Sequence, residues 1–309
     1  MQPLSGKTRF LIAPLLALVA SSAAAALIDD VKQLINDEDR LIAARADIAA
    51  DRDAIAANLN VEKDLRADVR KLFTDRNKVQ ALRLLKAVDQ KQVRVTLDYR
   101  GAKLVKPTAG RKNLLLDIAS YLAGYDAWTA ARQAVADNFE QMRAATVARD
   151  LPALRAATKT FFDSLRERLQ ARLQWQSDLR AMKKDVGFKA TGTVQMPPSL
   201  DLSADAAEYL SDRAQWEAFD QQLEADRNNL RAGLTAGESL DSIVLTFLND
   251  RRARRLKGLE LYWDRNFMGT DIGIVPRDPK AVPPVTARDM NNDEEDDTLD
   301  QSADEAGEK

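Results

Sequence analysis

The densest grouping of chemically capable side chains lies in NDRRARRLKGLELYWDRNF, Asn249–Phe267. There Arg251, Arg252, Arg254, Arg255 and Lys257 precede Tyr262, Trp263 and Phe267. Guanidinium groups beside aromatic rings can hold phosphates, anionic lipid head groups or nucleic acid, by charge and stacking together. The same cations also suit a solvated helix end, where positive charge favours the C-terminal half through the helix dipole. A third reading has the acidic C-terminal tail fold back on them, a contact that salt would screen.

Other chemistry is more restricted. The 309 residues include no His and no Cys, which removes an imidazole base, a thiolate nucleophile, Cys/His zinc sites and His or Cys haem ligation. Carboxylate, Lys and Tyr chemistry stays open in principle. However, the chain carries no GxSxG, SxxK or P-loop pattern, and its many acids sit in no distinctive loop motif. The tail NNDEEDDTLDQSADEAGEK lacks the spacing and glycine of a calcium loop. No catalytic residue, cofactor-binding residue or metal ligand is assigned, no cofactor is expected, and the chain reads as a non-enzyme.

Any such groups would be positioned by helices. The composition is 45% hydrophobic and 30% charged, with few aromatics and only 12 Gly, which favours long amphipathic helices. The fold class expected is all-α: an elongated helical bundle or hairpin set with a leading coiled-coil-like helix.

Residues 1–26 read as a secretory signal: Lys7 and Arg9, an apolar run Phe10–Ala20, then SSAAAA with cleavage after Ala26. The competing reading is an uncleaved anchor, weakened by Pro14 and the Ser/Ala-rich half. Export follows, to a bacterial periplasm first and to the exterior second. That location disfavours nucleic acid as a partner and suits a membrane surface or an acidic glycan. Net charge is −2 overall; residues 289–309 carry −9 and the signal +2, which leaves the body at +5.

From residue 27 to 92 the sequence reads as one heptad-patterned helix. Leu27, Leu34, Leu41, Ile48 and Ile55 form a line, with Ile28, Ile35 and Ile42 beside them. Glu38, Arg45 and Arg52 interrupt the complementary positions, and the phase moves after Leu59, which acts like a stutter. The five-residue line is the expected interface with a second copy or a partner helix. Residues 93–110 are either a short β-hairpin near 93–105, on the alternation of Val93, Val95, Leu97 and Tyr99, or an irregular connection closed by Pro107 and Gly110.

A helical bundle is expected over 111–267. Within it Arg111–Trp128 reads as a core helix with Asp117 and Asp126 facing water, since two acids make membrane insertion costly. Trp175 and Trp216 fall on apolar helix faces, where packing is expected rather than ligand stacking. Asp150 should cap one helix and Ser203 another, with a loop over Gly187–Ser203. Residues 268–309 form a Pro-rich and then acidic segment, expected to be disordered from Asp289. No repeat with a period of 20–50 residues is found. The functional expectation is an exported interaction protein (scaffold, adaptor or holding chaperone); the alternative is a helical protein that binds or perforates lipid bilayers.

Overall fold

The computed structural model describes residues 12–274, apart from 62, 109, 111–112, 190–200 and 238, with side chains from residue 25 onward. Residues 1–11, most of the loop expected over Gly187–Ser203, and the tail from residue 275 lie outside the described residues, while the expected cleavage point after Ala26 falls inside a continuous helix. Six helices follow in order: α1 Ile12–Leu59, α2 Arg66–Thr96, α3 Leu114–Ala148, α4 Leu151–Asp185, α5 Leu202–Ala236 and α6 Asp241–Asp271. The chain is all-α, as its composition implies, and the described residues contain no strand.

Consecutive helices pair into antiparallel hairpins: α1 with α2, α3 with α4, α5 with α6. The expected single helix over 27–92 is therefore two helices. After Leu59 the chain turns through residues 60–65, the Asp64 carboxylate accepts from the Arg66 N–H at 3.1 Å, and Leu65, Val69 and Leu72 fold back on Ile55. The phase change marks a reversal, because those apolar residues bury more surface against α1 than they could by extending it.

The hairpins close into a ring. Leu27, Val31 and Leu34 of α1 with Val93 of α2, at the open end of the first hairpin, pack on Met142, Leu154, Phe161 and Phe162 at the tip of the second. The second hairpin's open end (Ile118, Tyr121, Trp175, Met182) packs on the third's tip (Leu230, Leu240, Phe247). The third's open end (Ala206, Tyr209, Met268, Ile272) packs on the first's tip (Ile55, Leu65, Val69, Leu72). Each junction lies roughly 35 Å from the next along its hairpin, taking 1.5 Å per helical residue. Three rods of nearly equal length joined head to tail can return to their start only as a triangle, so the expected helical hairpin set is arranged as a triangle.

The triangle reflects an internal repeat of about 87 residues, longer than the periods typical of solenoids. L-x-x-D-x-x-x-[L/Y]-[I/L] marks the open end of every hairpin on its first helix, at Leu27 within α1 and at the starts of α3 and α5, Leu114 and Leu202. In the second helices Leu72, Phe161 and Phe247 correspond, as do Asp89, Asp178 and Asp264, and Val93, Met182 and Met268. All three second helices end alike. Asp98, Gly187 and Gly273 adopt φ of 49°, 62° and 75°. The next residue's N–H then reaches back: Tyr99 to Arg94 O at 2.9 Å, Phe188 to Lys183 O at 2.8 Å, Ile274 to Gly269 O at 2.8 Å. This is the Schellman ending, and it rules out the β-hairpin reading near 93–105. Val93–Thr96 are helical, and residues 99–108 form an irregular strap along α4.

Capping explains the remaining boundaries. Asn113 accepts from Leu116 N, Asp150 from Ala153 N, and Asp201 from Ser203 N and Ala204 N. Asp150 caps as its sequence position predicts. Asp201 rather than Ser203 caps α5, because its carboxylate satisfies two free N–H groups at once.

Candidate functional site

The ridge proposed as a partner surface is occupied by this chain. Leu27, Leu34, Leu41 and Ile55 are at most 1% exposed, and Ile48 is half-buried against Leu41, Val79 and Leu82. Outward association through these five residues is therefore corrected: they hold the first hairpin together and dock it on its two neighbours. The seam they belong to is more regular than the sequence suggested. Asp37, Ala44 and Asp51, not Glu38, Arg45 and Arg52, fill the complementary positions and are buried. Polar side chains at such positions need partners, and they have them. Asp37 accepts from Arg40 at 2.8 Å, and Asp51 is paired with Lys71.

The basic segment lies on α6, where every residue from Asp250 to Asp271 is buried or half-buried. Arg254 pairs with Asp220 at 2.8 Å and stacks over Trp216 at 4.1 Å. Lys257 bridges Asp212, at 3.0 Å, and Glu260. Arg251 lies 5.5 Å from the Trp175 ring, joining the second and third hairpins. Arg252 and Arg255 are likewise half-buried on this helix. Arg254 and Lys257 thus act inside the third hairpin rather than as an outward anion-binding patch. The apolar segment Arg111–Trp128 is core, as expected: Ile118, Tyr121, Leu122 and Trp128 are buried. Asp126 is exposed and meets Arg231 at 2.6 Å. Asp117 does not face water, however, since it is 2% exposed. Trp175 and Trp216 pack, Trp175 stacking on Trp128 at 5.1 Å.

What sequence reasoning missed is a repeated set of buried carboxyls. Near each hairpin opening an Asp of the first helix (30, 117, 205) faces the second helix, at the position occupied by Thr96, Asp185 and Asp271 respectively. Thr96 donates to Asp30, and Asp117 hydrogen-bonds Asp185. One or two turns further in stand Asp89, Asp178 and Asp264. Burial raises the affinity of all three for a proton. For Asp89 burial and then the hydrogen-bonded Asp37 push the value up to about 6. For Asp264 burial, then Asp212, Glu208, Glu260 and Asp205, push it up to about 8. Both Asp264 carboxylate oxygens are buried and make no hydrogen bond among the described residues.

A second set sits at the tips. Asp226 and Asp250 are hydrogen-bonded, and burial and then that contact raise Asp226. Asp51 and Asp75 are their counterparts in the first hairpin, joined by Lys71. The aligned L-x-x-D motifs were the signal that could have located the openings, but the repeat behind them is longer than the spacings inspected. Asp89, Asp178 and Asp264 hold a proton more firmly than a free carboxyl does, because burial penalises their charged form. Among the described residues no three carboxyls converge as metal ligands would.

The corners are tied by ion pairs that follow the same repeat. Arg143 of α3 reaches Asp39 of α1 at 2.6 Å, and the corresponding Arg231 of α5 reaches Asp126 of α3 at 2.6 Å. At the third corner the equivalent positions are Ala56 and Ala214, and Arg52 faces Glu217 at 4.0 Å instead. No helix of the described residues is long and apolar enough to cross a membrane. No family model matches the chain, and neither a curated protein nor a solved structure resembles it.

Proposed function

We propose that the protein is an exported, non-catalytic helical interaction protein, a rigid adaptor or scaffold that engages another protein through its outward faces. The closed triangle carries this reading. The conspicuous apolar and basic features of the sequence are consumed in joining three hairpins to each other, so the product of the fold is a stiff frame with fixed corners. Rigid preorganised frames bind with little ordering cost, which suits adaptors. Export rests on Lys7, Arg9 and the apolar run that follows. The contact surface shifts from the Leu27–Ile55 ridge to exposed positions such as Ile42, Leu115 and Val147, which are 55%, 52% and 80% exposed.

The test is photocrosslinking in a bacterial host, with a photoreactive residue at 42, 115 or 147 in turn, followed by fractionation and N-terminal sequencing. Export predicts a periplasmic form lacking residues 1–26, and interaction predicts a discrete adduct from at least one position. Cytoplasmic retention with residues 1–26 intact overturns the export. Absence of an adduct at all three positions overturns the adaptor role.

A further inference from the structure

One face of the triangle lacks a covering that its repeat-related counterpart has. In the second hairpin the strap 99–108 runs along α4 from its tip towards its open end. The Tyr99 hydroxyl donates to Asp163 at 2.8 Å, Val105 N–H to Gln170 at 2.7 Å, and Thr108 N–H to Gln174 at 2.8 Å. Gln170, Leu173, Gln174 and Ser177 of α4 are accordingly half-buried. The corresponding positions of α2 are Ala81, Leu84, Leu85 and Val88, and all four are exposed, the last three by 66%, 45% and 64%. Three large apolar side chains grouped within about one turn of one helix face are a docking surface in need of an occupant.

The repeat identifies that occupant. The strap on α4 is the chain that leaves α2, and it starts where Leu97 packs at the tip of the second hairpin. By the same rule the chain that leaves α6 belongs on α2. Ile272 already packs against Leu65, Val69 and Leu72 at the first hairpin's tip. The helix there ends in the same left-handed turn, through Gly273. Shifted by two residues from that register, the spacing of Lys103, Val105 and Pro107 recurs as Lys280, Val282 and Pro284.

We propose that residues 275–288 lie along α2 over Ala81, Leu84, Leu85 and Val88, as a second strap that joins the third hairpin to the first. The chemistry fits the exchange of residues between the two faces. The strap on α4 has backbone N–H groups that need the amides of Gln170 and Gln174. The segment 275–288 carries Pro276, Pro279, Pro283 and Pro284, which have no N–H to satisfy. An apolar face can therefore replace the glutamines. Reach is sufficient: eight residues from Ile274 to Val282 extend up to ~26 Å, and the path along α2 from Thr74 to Leu85 is ~16 Å.

The chain contains no cysteine, so the test is disulfide trapping in the full-length protein. Leu85→Cys is paired with Val282→Cys. The control pair is Leu115→Cys with Val282→Cys, where position 115 is exposed at the open end of the second hairpin, the corner opposite α2. At low protein concentration and mild oxidation, the 85/282 pair should close intramolecularly at least ten times faster than the control, with the product a monomer by mass. Equal rates overturn the proposal, since they mean the segment has no preferred seat. A covalent dimer from Leu85→Cys alone, formed faster than the intramolecular product of the pair, also overturns it, because a second copy then covers α2. Circular dichroism of each reduced variant must match wild type for its rate to be scored, and Leu84→Cys or Val88→Cys replaces any variant that fails.

Discussion

Replacing Asp264 by Asn should remove much of the loss of stability that the protein suffers as pH rises. Asp264 is 1% exposed, and its two oxygens make no hydrogen bond among the described residues. Asp205, Glu208 and Asp212 of α5 and Glu260 of α6 surround it, with Lys257 bound to Asp212 and Glu260. Burial, and then those charges, lift it from 3.8 in the unfolded chain to about 8. A raised carboxyl holds its proton in the folded state while the unfolded chain has released it. Its stabilising contribution is thus complete below pH 3.8 and declines as pH rises towards 8. Across the three units from pH 5 to pH 8, at 1.36 kcal/mol per unit, the loss is about 4 kcal/mol. For a chain of this size that lowers Tm by roughly 10 °C. Asn is neutral throughout, so the stability of Asp264→Asn relative to wild type should rise by about 4 kcal/mol between pH 5 and pH 8. Thermal denaturation of both proteins at half-unit pH intervals measures this. Parallel Tm curves for the two proteins would show that Asp264 is ionised and compensated in the native state, and the reasoning from unpaired burial would be wrong.

Asp89→Asn should act in the same direction over a lower window, between pH 3.8 and about 6, because its carboxyl is raised less; the same denaturation series resolves it. Leu41→Ala should cost about 2–4 kcal/mol in denaturant unfolding and Ile42→Ala under about 0.5 kcal/mol, since Leu41 is fully buried and Ile42 is 55% exposed. Equal costs would show that the ridge is not covered by this chain. Asp98→Gly should stabilise by about 0.5–1 kcal/mol, because Asp98 holds the left-handed turn that glycine fills in the other two hairpins. Lys257→Ala leaves the buried Asp212 without its cation and should cost about 1–3 kcal/mol. An unchanged Tm at pH 7 would return the basic segment to the role of a free surface patch.

Helix content, the cap at Asp150, and the alignment of the aliphatic line from Leu27 to Ile55 on one helix face are local or periodic properties, and the sequence contains them outright. A side chain every three or four residues must share a face, and a carboxylate or amide just before a helix satisfies its free N–H groups. Which surface covers a face is a different kind of fact. Leu27 and Leu34 meet Phe161 and Met142, while Ile55 meets Tyr209 and Met268; those pairings join residues more than a hundred positions apart. Periodicity within one helix carries no information about them. The same holds for Arg254 and Lys257, whose charge reads as outward until Asp220 and Asp212 are placed beside them. Asp117, which reads as a solvent-facing acid, is buried because the second hairpin closes over it with Asp185 opposite. The threefold repeat was present in the sequence as L-x-x-D-x-x-x-[L/Y]-[I/L], but its corresponding positions keep only volume and polarity. Leu34, Tyr121 and Tyr209 share one place of that motif and have only bulk in common. The sequence alone determined that the chain makes amphipathic helices and where several of them start. The tertiary structure decided that they close into a triangle, because head-to-tail packing of three equal hairpins buries the line from Leu27 to Ile55 within the chain.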